Sequence, residues 1–97
     1  MIKLDIPKER VVSFCQKHHI CRLSLFGSVL RDDFSPKSDV DVLVEFEEGH
    51  TPGLTFFAMQ DELSDILDRS VDLCTPEFLS RYFRQEVMQS AVPAYEQ

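Results

Sequence analysis

The sequence is poor in basic residues and has no run of them. It contains 10 Lys and Arg against 17 Asp and Glu, which gives a formal net charge of −7. A protein that grips a long nucleic acid usually carries a basic face that neutralises phosphates. The composition therefore disfavours long DNA or RNA as a partner, whereas clustered acids are typical of sites for divalent cations.

Cysteines are few, and none forms a recognisable motif. Cys15, Cys21 and Cys74 are an odd number at irregular spacing, which is not a disulfide framework. The lack of a Cys-x-x-Cys pair also disfavours a structural zinc. We expect three small, partly buried thiols in a reducing cytosol.

Long apolar runs are absent as well. No stretch is long enough to span a membrane, and the first ten residues, MIKLDIPKER, lack the apolar region of a signal peptide. We therefore expect a cytoplasmic protein without a membrane partner. The 97 residues, 43% of them hydrophobic, fit one globular domain over residues 1–97.

Apolar periodicity and turn residues predict helices and strands in alternation. The predicted elements are a helix at 7–18, a strand at 20–26, a short helix from 27 through 31, a loop at 33–38, a strand at 39–46, a helix at 54–68, a strand at 70–74 and a helix at 75–90. This order indicates an α/β or α+β fold, in which helices cover a small sheet. The pattern does not fix the strand directions.

The last predicted helix has a clear start and stop. Thr75 is a good N-cap, Pro76 suits the first helical position, and Pro93 ends the helix and leaves a short tail. Its apolar residues could be core or interface, and we expect core; they are Leu79, Phe83 and Val87.

The strand at 39–46, DVDVLVEF, has one apolar face and one acidic face. Asp39 and Asp41 are two residues apart, so their side chains point the same way with Cα atoms about 6.5 Å apart. Two like charges held together cost free energy, and a divalent cation would compensate it. The alternative is a solvated polar strand face, because carboxylates are usually exposed.

Gly27 and Ser28 follow the strand at 20–26 and precede a short helix. Glycine allows a ligand to approach closely, and a helix start with a Ser hydroxyl favours phosphate. A simple strand-to-helix turn capped by Ser28 is the alternative. The two features combine in the pattern G-S-x10-D-V-D.

The segment LSLFGSVLRDDFSPKSDVDVLVEF resembles the signature of the polymerase-β-like nucleotidyltransferase superfamily. More narrowly, it resembles the minimal nucleotidyltransferases that prokaryotes encode beside HEPN-domain proteins. The resemblance extends over nearly the whole chain. It implies the nucleotidyltransferase fold, with a small mixed β-sheet covered by helices.

The resemblance implies a role for three carboxylates. Asp39 and Asp41 would coordinate two Mg²⁺ ions. Asp72, in the segment SVDLC, matches the third carboxylate of the family; it would complete one metal site and could accept a proton from an attacking hydroxyl. Glu45 shares the acidic face but lies farther along the strand, and we do not expect it to be a ligand.

The resemblance also implies a nucleotide-binding role for the residues near Gly27. Gly27 and Ser28 would hold the triphosphate of ATP. Arg31 could contact a phosphate, although a surface salt bridge with Asp32 or Asp33 is an equal alternative.

The implied function is Mg²⁺-dependent transfer of AMP from ATP to a hydroxyl of a partner protein. The partner would be a HEPN toxin, so that this chain would act as its antitoxin. Two alternatives are a non-catalytic, nucleotide-binding antitoxin and a small-molecule nucleotidyltransferase whose acceptor pocket comes from homodimerisation. The homo- or hetero-oligomeric state is left open. His18, His19 and His50 show no convincing metal-ligand spacing, and we assign them no catalytic role.

Overall fold

The computed structural model describes residues 6–30 and 39–97, without the side chains of Ser28 and Phe78. The elements are α1 (Lys8–Lys17), β1 (Ile20–Phe26), a 3-10 turn (Gly27–Leu30), β2 (Val40–Phe46), α2 (Thr55–Leu67), β3 (Val71–Cys74), a second 3-10 turn (Pro76–Phe78), α3 (Arg81–Ser90) and β4 (Val92–Glu96). None of the helices in these two ranges has the length and apolar character that crossing a bilayer requires. The predicted loop at 33–38 lies outside the described residues.

The four strands form one mixed sheet in the order β3-β2-β1-β4. β1 runs antiparallel to both β2 and β4, while β2 runs parallel to β3. The predicted fold class is confirmed, and the structure supplies the strand directions that the sequence pattern left open. The parallel pair is possible because α2 connects β2 to β3 as a crossover helix.

The main core lies between one face of the sheet and helices α1 and α2. Alternation along the strands puts their apolar residues on this face, and helical spacing aligns those of the two helices. The buried members are Val11, Phe14 and Cys15 of α1, Phe56, Met59, Leu63 and Leu67 of α2, Val29 of the first 3-10 turn, and Ile20, Leu23, Leu25, Val40, Val42, Val44, Val71 and Leu73 of the strands. The opposite face therefore receives the alternate residues of β2 and β3, including Asp41 and Asp72.

A smaller cluster covers part of this opposite face. Val87 of α3 is buried against Phe26 and Leu43 of the sheet. β1 is consequently covered on both faces where it meets α3. The predicted core position of Val87 is confirmed, whereas Phe83 is 48% exposed because α3 turns only its Val87 side fully toward the sheet.

The prediction of one continuous helix over residues 75–90 was wrong. Pro76 starts only a 3-10 turn, Thr75 makes no side-chain capping bond, and Leu79 has an extended backbone with ψ of 143°. Ser80 is the N-cap of α3, where its Oγ accepts a hydrogen bond from the Phe83 amide at 3.2 Å. Two capping signals lie five residues apart in the sequence, and the structure uses the second one for the α-helix.

The predicted tail after Pro93 was also wrong. Residues Val92–Glu96 form β4, the edge strand that pairs with β1. Pro93 is opposite Ser24, next to an irregularity in the register between Leu23 and Ser24. An edge strand or a bulge tolerates proline because one N–H there needs no partner in the ladder. Pro93 thus follows the end of α3 and is also part of a strand.

The three cysteines are free, as predicted. Cys15 is buried, while Cys21 and Cys74 are half-buried. Burial raises the pKa of the Cys15 thiol to about 12, so this side chain behaves as a small apolar residue of the core.

Candidate active site

Asp41 and Asp72 meet on neighbouring strands. In the parallel pairing of β2 with β3, Asp41 is the register partner of Asp72, and neighbouring strands lie about 4.8 Å apart. Val40 and Val42, on either side of Asp41, are buried in the main core. Alternation therefore turns both carboxylates to the face that α3 partly covers.

Asp39 lies immediately before β2 and is exposed. The start of the strand is fixed by the Val40 amide, which donates to the carbonyl of Ser70 at 2.8 Å. Asp41 is half-buried and Asp72 is exposed. The structure thus pairs Asp41 with Asp72, but it does not bring the oxygens of all three carboxylates within 4.8 Å of one another, judged over the described side chains.

Gly27 packs directly against the Asp41 carboxylate. Phe26, the last residue of β1, is opposite Asp41 in the antiparallel register. The backbone of Gly27 has φ of +76°, and a Cβ at this position would overlap Oδ2 of Asp41. Glycine is required here for both reasons, since other residues rarely adopt this φ. The sequence suggested Gly27 for close approach of a ligand, and the structure shows that the carboxylate itself needs this room.

Ser28, also predicted to bind nucleotide, follows Gly27 directly. Its backbone belongs to the 3-10 turn Gly27–Leu30, where the sequence pattern predicted a short helix from 27 through 31. Arg31 lies outside the described residues. The site as described therefore consists of this turn and the carboxylates of β2 and β3.

A cleft of about 390 Å³ opens beside Asp41, between the sheet and α3. Its volume is within the range of small-molecule sites. The sheet side and the turn contribute Phe26, Gly27, Leu30 and Asp41, and α3 contributes Phe83, Glu86, Val87 and Ser90. The α3 residues were not predicted as site residues, although their spacing at 83, 86, 87 and 90 marks one helical face.

The thiol of Cys74 lies close enough to both carboxylates for their charge to affect its pKa. Cys74 follows Asp72 by two residues, so it points the same way, and its Sγ donates to the carbonyl of Val42 at 3.5 Å. Burial, and then the negative charges of Asp72 and Asp41, raise the pKa of the Cys74 thiol to about 11. Both carboxylates therefore act on one point of the sheet, and this oxygen-rich, negative donor set suits a hard divalent cation such as Mg²⁺.

The sequence profile described as "Nucleotidyltransferase domain" matches residues 8–93, from the first residue of α1 into β4. The chain belongs to the nucleotidyltransferase family, and it is an enzyme of the nucleotidyltransferase class. A relative from Methanocaldococcus jannaschii, assigned as a protein adenylyltransferase, is 32% identical over 85 residues, which are 88% of this chain and 90% of the relative.

Solved structures share this fold. One, described as a minimal nucleotidyltransferase, is 36% identical, has a TM-score of 0.73 and aligns over 89% of this chain and 87% of its own. Another comes from a complex of a tri-AMPylated HEPN toxin of Shewanella oneidensis with an MNT antitoxin. Its identity is 18% and its TM-score 0.66, over 93% of this chain and 70% of that one. At 18% identity, this structural similarity shows that the two chains share a fold and nothing further.

Proposed function

We propose that this chain is a Mg²⁺-dependent adenylyltransferase that transfers AMP from ATP to a hydroxyl of a HEPN-domain protein, and thereby acts as its antitoxin. The observation that carries the proposal is the register pairing of Asp41 with Asp72 beside the Gly27 turn. The adenylyltransferase relative and the fold shared with the tri-AMPylated toxin complex support it. The proposal takes residues 1–97 as a single domain, because all the described strands share one sheet.

Asp39, Asp41 and Asp72 are the residues that would hold two Mg²⁺ ions. Bound there, the ions would stabilise charge on the attacking and leaving oxygens of an in-line displacement. The chain contributes rigidity, because the neighbours of Asp41, Val40 and Val42, are 0% exposed and fix β2 in the core. Such rigid positioning is the main requirement of phosphoryl-group chemistry.

The nucleotide would lie across the Gly27 turn and in the cleft against α3. Backbone amides of Gly27 and Ser28 would bind the triphosphate, and Arg31 would add a charge to this contact. The ring of Phe83, half-exposed on the cleft wall, offers an aromatic face for the adenine base. Bound in this way, the nucleotide would present its α-phosphorus to Asp41.

The acceptor hydroxyl would approach from the outer edge of the sheet. β3 is an edge strand and Asp72 is exposed on it, so a side chain of another protein can reach this carboxylate. Asp72 also borders a second cleft of about 540 Å³, whose lining includes Phe46, Phe57 and Glu77. The nucleotide and the acceptor would thus reach the carboxylate pair from different clefts.

In the transfer step, the acceptor oxygen attacks the α-phosphorus as Asp72 accepts the hydroxyl proton. A new P–O bond forms to the acceptor, the bond from the α-phosphorus to the bridging oxygen breaks, and pyrophosphate leaves. Because Asp41 is half-buried between Gly27 and Asp72, we expect it to be the carboxylate nearest to the phosphate that reacts.

Purely inhibitory binding is the second candidate, because several apolar side chains are exposed. Leu54 is 87%, Phe57 68% and Tyr82 88% exposed, and such groups favour a protein partner. An antitoxin could neutralise its partner by covering it without transferring AMP. Both functions are consistent with a cytoplasmic location, which we propose from the ATP substrate and the three free thiols.

A transfer assay separates the two candidates. The chain is incubated with labelled ATP, Mg²⁺ and the proposed HEPN-domain partner, and label on the HEPN protein is measured. We expect transfer by the wild type and a loss of about a hundredfold or more in Asp41→Asn, with complex formation retained. Glu45→Gln is the matched control, since Glu45 lies on the same face of β2 and should transfer normally.

Absence of transfer by the wild type, with an intact complex, would leave inhibitory binding as the function. Equal transfer by Asp41→Asn and the wild type would remove Asp41 from the catalytic site.

A further inference from the structure

His19, Glu47 and His50 form a cluster at the end of the sheet away from Gly27. One ligand atom of each side chain lies within 4.8 Å of the other two. Among the described residues, this is the group of three metal-ligating side chains that comes this close together. The two imidazole rings are stacked, with centroids 3.9 Å apart and planes inclined by 19°. The fold therefore brings His19 to two other metal-ligating groups, Glu47 and His50, from which it is distant in the sequence.

The backbone holds this cluster together. The amide of Glu47 donates to the carbonyl of His19 at 2.8 Å, and the amide of His50 donates to the carbonyl of Glu47 at 3.0 Å. His19 has φ of 57°, a left-handed conformation that non-glycine residues seldom adopt. Such strained positions cluster at binding sites, where the surrounding structure maintains them.

A hydrogen bond from Gln97 also orients the carboxylate of Glu47. Gln97 Nε2 donates to Glu47 Oε2 at 2.7 Å, which leaves Oε1 to act as a ligand. Hydrogen bonds of this type fix the direction of ligating side chains in metal sites. Both imidazoles are exposed, so solvent gives a metal ion access to them.

We propose that His19, Glu47 and His50 bind a divalent transition-metal ion such as Zn²⁺. Two imidazoles and one carboxylate are a ligand set that Zn²⁺ takes readily, whereas Mg²⁺ prefers oxygen ligands alone. Ligands about 2.1 Å from a tetrahedral ion lie roughly 3.4 Å apart, so ligand atoms that lie within 4.8 Å of one another need to approach by about 1.4 Å at most. The fourth position faces solvent and would hold water.

This site is separate from the candidate active site and does not depend on AMP transfer. Six residue steps along β2 separate Asp41 from Glu47, which is about 20 Å at the usual strand rise. Ile20 pairs with Phe46 at this end of the sheet, so a bound ion would fasten the start of β1 to the turn that follows β2. The consequence is a stability that depends on the metal.

Zn²⁺ titration of the full chain tests the proposal. Calorimetry is done in millimolar Mg²⁺, which competes for the carboxylates of β2 and β3. We expect one Zn²⁺ per chain and a rise in Tm of about 5 °C or more at a hundredfold excess over Kd. His50→Gln, Glu47→Gln and His19→Asn should each weaken binding about tenfold or more.

The variants are chosen to preserve the fold. Asn tolerates the left-handed backbone at position 19, and Gln at position 47 still accepts the bond from Gln97. His18→Gln is the matched control, because His18 bonds Glu62 at 3.0 Å outside the cluster and should leave Zn²⁺ binding unchanged. Wild-type binding no tighter than millimolar would overturn the proposal, as would variants with wild-type affinity, or loss of binding only in Asp41→Asn.

Discussion

At the scale of single residues, Gly27 is in direct contact with the Asp41 carboxylate. Gly27 combines a positive φ with a position where any Cβ would overlap the Asp41 carboxylate. The Gly-Ser pair and the Asp-x-Asp spacing therefore belong to one constellation, held together by the pairing of Phe26 with Asp41. The presence of both features in the sequence motif is explained by this contact between Gly27 and the Asp41 carboxylate.

Gly27→Ala should damage the site more than it damages the fold. The methyl group must displace the Asp41 side chain, so we expect AMP transfer to fall about a hundredfold, together with roughly 1–3 kcal/mol of lost stability from the strained φ. The transfer assay and denaturant unfolding measure the two effects separately.

Gly49→Ala is the control for backbone strain alone. Gly49 has φ of +81°, but a Cβ there would meet nothing within 4 Å. We expect a similar loss of stability and normal transfer. If Gly27→Ala transferred AMP as well as Gly49→Ala does, the contact with Asp41 would not matter for catalysis.

At the scale of elements, α2 packs on the sheet, and two of its side chains also accept hydrogen bonds from the outer edge of β3. The outward amide of Leu73 donates to Gln60 Oε1 at 3.0 Å, and that of Val71 donates to Ser64 Oγ at 3.2 Å. These bonds satisfy edge donors that would otherwise be open to another strand. They also hold Asp72, which lies between the two amides, at a fixed register.

Gln60→Leu should therefore destabilise the chain. It leaves the Leu73 amide without its acceptor, which costs roughly 1–3 kcal/mol when the donor is shielded from water. Denaturant unfolding compares it with Gln16→Leu, since Gln16 is exposed on α1. Equal stability of the two variants would show that the edge bond contributes nothing.

Elements with strong periodicity could be predicted from the sequence, and elements with competing signals could not. The strand at Ile20–Phe26 and the helix at Thr55–Leu67 agree with the predictions to within a residue. The split of the last helix was missed because Thr75 and Ser80 are both good N-caps. β4 was missed because Pro93 indicates the end of a helix equally well.

The candidate site was predictable only in part. Alternation along the strand at 39–46 predicted a common direction for Asp39 and Asp41, but the placement of Asp72 beside Asp41 needs strand directions, which local patterns do not contain. That position came from the family resemblance, and the parallel register agrees with it. His19, Glu47 and His50 were missed because they meet only through the antiparallel pairing of β1 with β2.

At the scale of the whole molecule, β1 and β2 separate two polar sites. The carboxylates and the Gly27 turn lie at one end of this strand pair, and the His19–Glu47–His50 cluster lies at the other. Helices α1 and α2 cover one face of the sheet, and α3 forms one wall of the cleft beside Asp41 on the other face. Asp72 is exposed on β3, and we propose that a protein acceptor approaches there.

The most direct test of the central claim is a double-mutant cycle on AMP transfer to the HEPN protein. The rates of Asp41→Asn, Asp72→Asn and the double variant are measured against wild type with Mg²⁺ and ATP. Because we propose that the paired carboxylates act as a unit, we expect each single change to lower the rate about a hundredfold or more, with little further loss in the double variant. A wild-type rate in Asp72→Asn, or fully additive losses, would contradict the account.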